Sequence, residues 1–363
     1  MVIYYIRKMS VNLFPGYFAL VMATGALSIA TFLLDMHVIS KGLLYFNMAA
    51  YTVLWGLTLY RLLFFTPRLV KDLTSHTLGP GFFTLVAGTC VFGSQLITVA
   101  HRYEPAFYLW CLAIFLWLMI MYTFFTAVTV RKNKPTLSEG INGAWLIAAV
   151  ATQSISVLGT LLSPHVESGR DIVLFVALCA YLLGCMLYLN IITLIFYRFT
   201  FVELKFAALT PPYWINMGAV AITTLAGSTL MLHADDWAFL GELLPFLRGF
   251  TLFFWITGTW WIPLLFILMV WRHLYHHYPL KYDPQFWGMA FPLAMYTTST
   301  YQLSKALHIP FLLVIPRFMV YVAMAAWLAV FAGLVHHLYT SFRRQREAGN
   351  GGALPQQIEG GNG

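Results

Sequence analysis

Two groups of side chains in this 363-residue chain have types and spacings that could support chemistry. The first is histidine. His273, His276 and His277 form an HxxHH pattern, and His336-His337 lie together further on. Several imidazoles held close can bind a di-iron pair, as membrane desaturases and hydroxylases do with such boxes. That chemistry would make the chain a metal-dependent membrane enzyme. It needs more boxed histidines than these five, and Arg272, Tyr275 and Tyr278 surround the motif as basic and aromatic residues do at the headgroup level. An interfacial role, with no metal and no cofactor, is the preferred reading. His101, His165, His233 and His308 fall at the ends of apolar blocks, which argues against axial haem ligation.

The second group is small and hydroxyl-bearing. Thr24, Gly25 and Ser28 stand in a cluster reading Ala-Thr-Gly-Ala-Leu-Ser. Comparable clusters hold Thr89 and Gly93, then Thr152 and Ser156, then Thr223 and Gly227, and finally Thr297. Hydroxyls inside a membrane are tolerated where they line a water-filled passage, and small residues also let helices pack closely. Because the cluster recurs five times at corresponding depth, these residues are expected to line a central pore.

The elements that must position them follow from composition. Apolar residues make up 60% of the chain and charged residues 9%, against about 25% charged in an ordinary soluble domain. A surface so poor in charge must face lipid. A bilayer core of about 30 Å takes roughly 20 apolar helical residues, and the chain offers ten such blocks, near 14–34, 41–65, 81–100, 105–130, 142–162, 171–198, 212–232, 246–271, 284–304 and 310–341. The first is too long for the apolar region of a signal peptide, roughly 7–15 residues, and is expected to be a retained span. The prediction is an all-α integral membrane protein in one domain, 1–341, followed by a disordered cytoplasmic tail, 342–363.

Charge tests the count. Fifteen of the 21 Lys and Arg fall on the side shared by the termini and every second loop. That bias places both termini in the cytoplasm and explains the net charge of +8 without nucleic acid. Cys90, Cys111, Cys179 and Cys185 lie in apolar blocks without paired spacing, so they are expected to pack as thiols.

The five clusters sit on the odd-numbered spans, and the even spans are bulkier. This is the pattern of five helical hairpins around a central pore, each with an inner and an outer helix. The inner spans carry no Asp, Glu, Lys, Arg or His at mid-depth. Proton-coupled carriers usually keep such a group as a relay, so the lining favours a channel or uniporter.

Some motifs on these spans are familiar. Phe14-Pro15-Gly16-Tyr17-Phe18 followed by Met22-Ala23-Thr24-Gly25-Ala26-Leu27-Ser28 resembles the first span of the tellurite-resistance/C4-dicarboxylate transporter family. Trp287 to Tyr296, reading WGMAFPLAMY, resembles its ninth span, and Thr259-Trp260-Trp261-Ile262-Pro263 is similar to a bacterial branch. The family includes plant guard-cell slow anion channels, bacterial tellurite-resistance proteins, and fungal malate and sulfite transporters. The resemblance implies a homotrimer in the inner (plasma) membrane with one pore per subunit, carrying small anions or dicarboxylates. It also implies a phenylalanine gate, at Phe291, with Pro292 bending the helix beside it. Ala23 stands where relatives often carry glycine, and the long regulatory tails of the plant channels are lacking. A sulfite or toxic-oxyanion exporter and a proton-coupled dicarboxylate carrier share this architecture and remain alternatives.

Overall fold

The computed structural model describes residue 7 and residues 9–350. Ten long helices dominate it: α1 (Ala19–Leu33), α2 (His37–Phe64), α3 (Phe83–Ala100), α4 (Tyr103–Val130), α5 (Ile147–Leu162), α6 (Arg170–Phe201), α7 (Ile215–Leu232), α8 (Leu244–Val270), α9 (Trp287–Ala306) and α10 (Val314–Asn350). The tail expected from residue 342 therefore begins as a continuation of α10, and 351–363 lie outside the described residues.

Each odd helix packs on the even helix that follows it, giving five hairpins. The odd helices also pack on one another in the order α1, α3, α5, α7, α9 and back to α1, so they close a ring. Burial separates the two classes. The apolar stretches of α3, α5 and α7 are 94% buried, whereas those of α2, α8 and α10 are 22% buried. The outer helices turn phenylalanines such as Phe115, Phe253 and Phe266 outward, as lipid contact requires. Both the ring and the inner–outer division agree with the sequence reading.

Nine helices among the described residues are long and apolar enough to cross a membrane. The tenth, α9, carries Thr297-Thr298-Ser299-Thr300 and is too polar to stand out by hydropathy. It packs lengthwise on α1, α7 and α10 and so shares their depth. A helix sheathed by protein has no need to be as apolar as one bathed in lipid.

The hairpins repeat in detail. Every inner helix is preceded by a single 3₁₀ turn: Pro15–Phe18, Gly79–Phe82, Gly143–Leu146, Pro211–Trp214 and Pro284–Phe286. Four of the five have proline at their first positions, where its missing N–H is no loss. The third uses Asn142, whose Oδ1 accepts from the Ala144 amide at 2.9 Å. Asp283 adds the same cap to the fifth, at 2.8 Å from Gln285 N. At the far ends His37, His101, His165 and His233 each stand 18 residues after the first residue of their inner α-helix. These histidines mark the repeat.

Glycines set how closely the helices approach. A Cβ on Gly143 would collide with the backbone of Pro212, where the lead-ins to α5 and α7 touch. One on Gly227 would strike the Thr251 side chain on α8. Gly56 on α2 faces open space. Gly227→Val should therefore destabilise the fold by about 1–3 kcal/mol through overpacking, read as a lower melting temperature in detergent. Gly56→Ala should leave it unchanged or raise stability by up to about 1 kcal/mol. Equal behaviour of the two variants would refute the packing account.

Candidate functional site

An axial cavity of about 220 Å³ opens where the five inner helices begin. Phe14, Leu78, Asn142 and Thr210, each one residue before a 3₁₀ turn, stand at its mouth, and Met22, Val150 and Phe291 line its deep end. Among the described residues no side chain lining it is titratable; its polar groups are amides and hydroxyls such as Thr84 and Gln285. The positive ends of five helix dipoles meet at this mouth, which favours anions there.

Phe291 is 1% exposed and ends the cavity. One and two turns further along the axis lies a void of about 20 Å³. Its walls take one residue from each inner helix in two tiers: Ala26, Val91, Ser154, Ile222 and Met295, then Ile29, Ser94, Val157, Leu225 and Thr298. Such a void has room for about one water and none for a hydrated anion. The axis is shut at Phe291 and just beyond it. The hydroxyls here are occupied: Ser154 donates to Val150 O at 2.7 Å and Ser94 to Cys90 O at 3.0 Å. To donate to a passing anion, each must release its own helix's carbonyl.

The hydroxyl and glycine positions expected on the pore wall face neighbouring helices in this closed structure. Thr24 accepts from Trp327 Nε1 of α10 at 3.0 Å, and Thr152 from Trp117 Nε1 of α4 at 2.8 Å. Thr89 pairs with Tyr51 of α2 at 3.1 Å. In all three cases the aromatic partner belongs to the outer helix of the preceding hairpin, with α10 preceding α1 around the ring. Ser28 exchanges hydrogen bonds with Ser40 on α2. Gly25 faces Val91 and Asn47, Gly93 faces Leu158, and Gly227 faces Thr251. Thr223 and Thr297 bond back to Ala219 O and Leu293 O. Ser156 is buried with no hydrogen-bond partner for its hydroxyl. Pro292 packs on Gly218 of α7. None of these eleven lines the cavity or the void. The repeat is real, and at Thr24, Ser28, Thr89 and Thr152 it ties inner helices to their neighbours.

The histidine box is dispersed. His273 Nδ1 lies 2.8 Å from Tyr278 O, His276 stacks on Phe206, and His337 lies against Tyr282. Among the described residues no three His, Cys, Asp or Glu side chains are grouped to hold a metal ion. Cys90 and Cys185 are buried thiols, while Cys111 and Cys179 are exposed on outer helices.

Three arginines that the sequence reading took only as loop and interfacial charges are buried. Arg61, Arg198 and Arg272 stand near the ends of α2 and α6 and just past the end of α8, yet are only 3%, 8% and 5% exposed. Arg61 donates to Leu13 O at 2.8 Å, Arg198 to Ile141 O, and Arg272 to Leu209 O. Each acceptor stands two residues before the 3₁₀ turn of the same hairpin. Each guanidinium thus ties the finish of an outer helix to the start of its inner one. Their spacing gave no signal, because Arg61, Arg198 and Arg272 stand 46, 55 and 61 residues after the first residue of their lead-in turns.

Residues 12–335 match the SLAC1 family, described as a voltage-dependent anion channel. An uncharacterized membrane protein of Mycobacterium tuberculosis is 38% identical over 159 residues, 44% of this chain and 80% of its own length. Two uncharacterized transporters of Methanocaldococcus jannaschii align over 81% of this chain. One is 26% identical over 84% of its length, the other 25% over 85%.

If the hydroxyls serve packing, Thr24→Val and Thr152→Val should each cost about 1 kcal/mol of stability through a stranded indole N–H. Ion flux in reconstituted vesicles should stay near the wild-type level. Loss of flux with an unchanged melting temperature would return these residues to the pore wall.

Proposed function

The chain belongs to the voltage-dependent anion channel family, and from that premise we propose that it passes small inorganic anions or C4-dicarboxylates along the axis of its inner helices, with Phe291 as the gate. The observation that carries the reading is the axial cavity that ends on this ring. A phenylalanine at a constriction blocks by occupying the bore and by excluding water. Pro292, one residue on, removes a backbone hydrogen bond and gives α9 a place to bend.

Passive conduction is favoured over proton-coupled carriage because neither cavity nor void presents a titratable side chain to the axis. A neutral wall binds anions weakly, and weak binding permits release as well as admission. The anion preference then rests on the helix dipoles and on charges behind the wall. The same architecture would serve a sulfite or oxyanion exporter. The charge bias of the loops supports a cavity mouth and both termini on the cytoplasmic side of the plasma membrane, and the family resemblance supports a homotrimer.

The test is flux of chloride, nitrate, sulfite and malate in proteoliposomes under an imposed potential without a pH gradient. Phe291→Ala should raise anion flux by about tenfold or more, since removing even 1.4 kcal/mol of barrier gives that factor. Equal flux in the two proteins would remove the gate assignment. Flux that requires a proton gradient would replace the channel with a coupled carrier.

A further inference from the structure

The three buried arginines are alike in geometry and unlike in charge balance. Arg61 is ion-paired with Asp72. Arg198 and Arg272 have no carboxylate partner among the described residues. Arg198 bonds to Ile141 O and the Tyr213 hydroxyl, and Arg272 bonds to Leu209 O and lies over the Tyr278 ring at 4.3 Å. Arg272 Nε is buried with no acceptor. A guanidinium stays protonated in a protein, so each of these sites keeps a full positive charge out of water. Leaving a buried charge without an ionic partner is costly, and even buried ion pairs can often be replaced by apolar residues without loss of stability. A tie between helices alone could be made by a neutral donor. The charge calls for a further role.

Their position supplies one. The carbonyls they hold belong to Ile141 and Leu209, and the next residues, Asn142 and Thr210, form the wall of the axial cavity. Arg198 also reaches Tyr213, between the cavity-lining Pro212 and Ile215. Both charges therefore stand directly behind the wall, on the side built by α5 and α7. On the opposite side, Asp72 offsets Arg61 and Asp283 caps the lead-in to α9.

We propose that Arg198 and Arg272 set the charge selectivity of the cavity, concentrating small anions at its α5–α7 side without contacting them. The inference rests on the conduction reading above and assigns its selectivity to two particular residues. A charge behind the wall raises the local anion concentration and lowers that of cations, yet offers no ligand that would trap the anion.

The experiment measures reversal potentials in proteoliposomes under a potassium chloride gradient, with Phe291→Ala as the conducting background. Arg198→Gln and Arg272→Gln should each lower the chloride-over-potassium permeability ratio by about three- to tenfold, as expected for one charge acting through a medium of intermediate dielectric. Arg198→Lys and Arg272→Lys should retain it. The pair Arg61→Gln with Asp72→Asn removes the same kind of tie without changing net charge, so it should leave the ratio unaltered. An unaltered ratio in both Gln variants overturns the proposal, as does an equal shift in the Arg61–Asp72 pair. Should the Gln variants fail to fold, Arg198→Met and Arg272→Met remove the charge with an apolar side chain of comparable length. A ratio lowered about three- to tenfold supports the fixed charges, and an unaltered ratio overturns them. No flux in Phe291→Ala itself would mean that the conduction reading has failed, and this inference falls with it.

Discussion

A helix enclosed by other helices within a membrane must find a partner for every polar group it carries, because no water is at hand to serve. The five inner helices live under that constraint, and much of the structure answers it. Their hydroxyls take indole and phenol donors from outer helices, as at Thr24 with Trp327, Thr152 with Trp117 and Thr300 with Trp255, or turn back on their own carbonyls. Asn47 of α2 reaches inward to Gln95 of α3 at 2.7 Å, and Gln153 of α5 reaches outward to Tyr181 O of α6 at 2.9 Å. The outer helices therefore shield the inner ring from lipid and complete its hydrogen bonding.

The axis is left to residues that need no such partner. Alanine, valine, isoleucine and methionine make up most of the two tiers beyond Phe291, and the few hydroxyls there are bonded within their own helices. A dry, narrow axis of this kind is stable while closed. The path widens at the mouth, where the 3₁₀ lead-ins spread the helix starts and the helix N-termini attract anions.

The buried arginines belong to the same logic at the rim. The carbonyls of Leu13, Ile141 and Leu209, just before three of the inner helices, lie beneath the finish of the outer helix, and a guanidinium is long enough to reach them. In hairpins one, three and four it does so. The second hairpin has Arg131 exposed beside His76, at 3.4 Å. There desolvation, helped by the positive charges of Arg131 and Lys134, holds the His76 imidazole below its ordinary value. The fifth places Tyr282 and Asp283 at the corresponding point. The rim is thus fivefold in backbone and lopsided in charge.

Much of this was legible without coordinates. Scarcity of charge demanded a membrane, and block length counted the spans. The recurrence of small residues on alternate blocks separated inner from outer helices, even for α9, whose Thr297–Thr300 run hides it from hydropathy. What the sequence could not convey was direction around the inner helices. Periodicity reveals a helix face only when one side is wet or greasy and the other is not. Here every side meets protein, so Thr152 and Ser154 look equivalent on the page. Two residues turn a helix by about 200°, and that rotation sends Thr152 to the indole of α4 and Ser154 to the axis. Only the closure of the ring decided which was which.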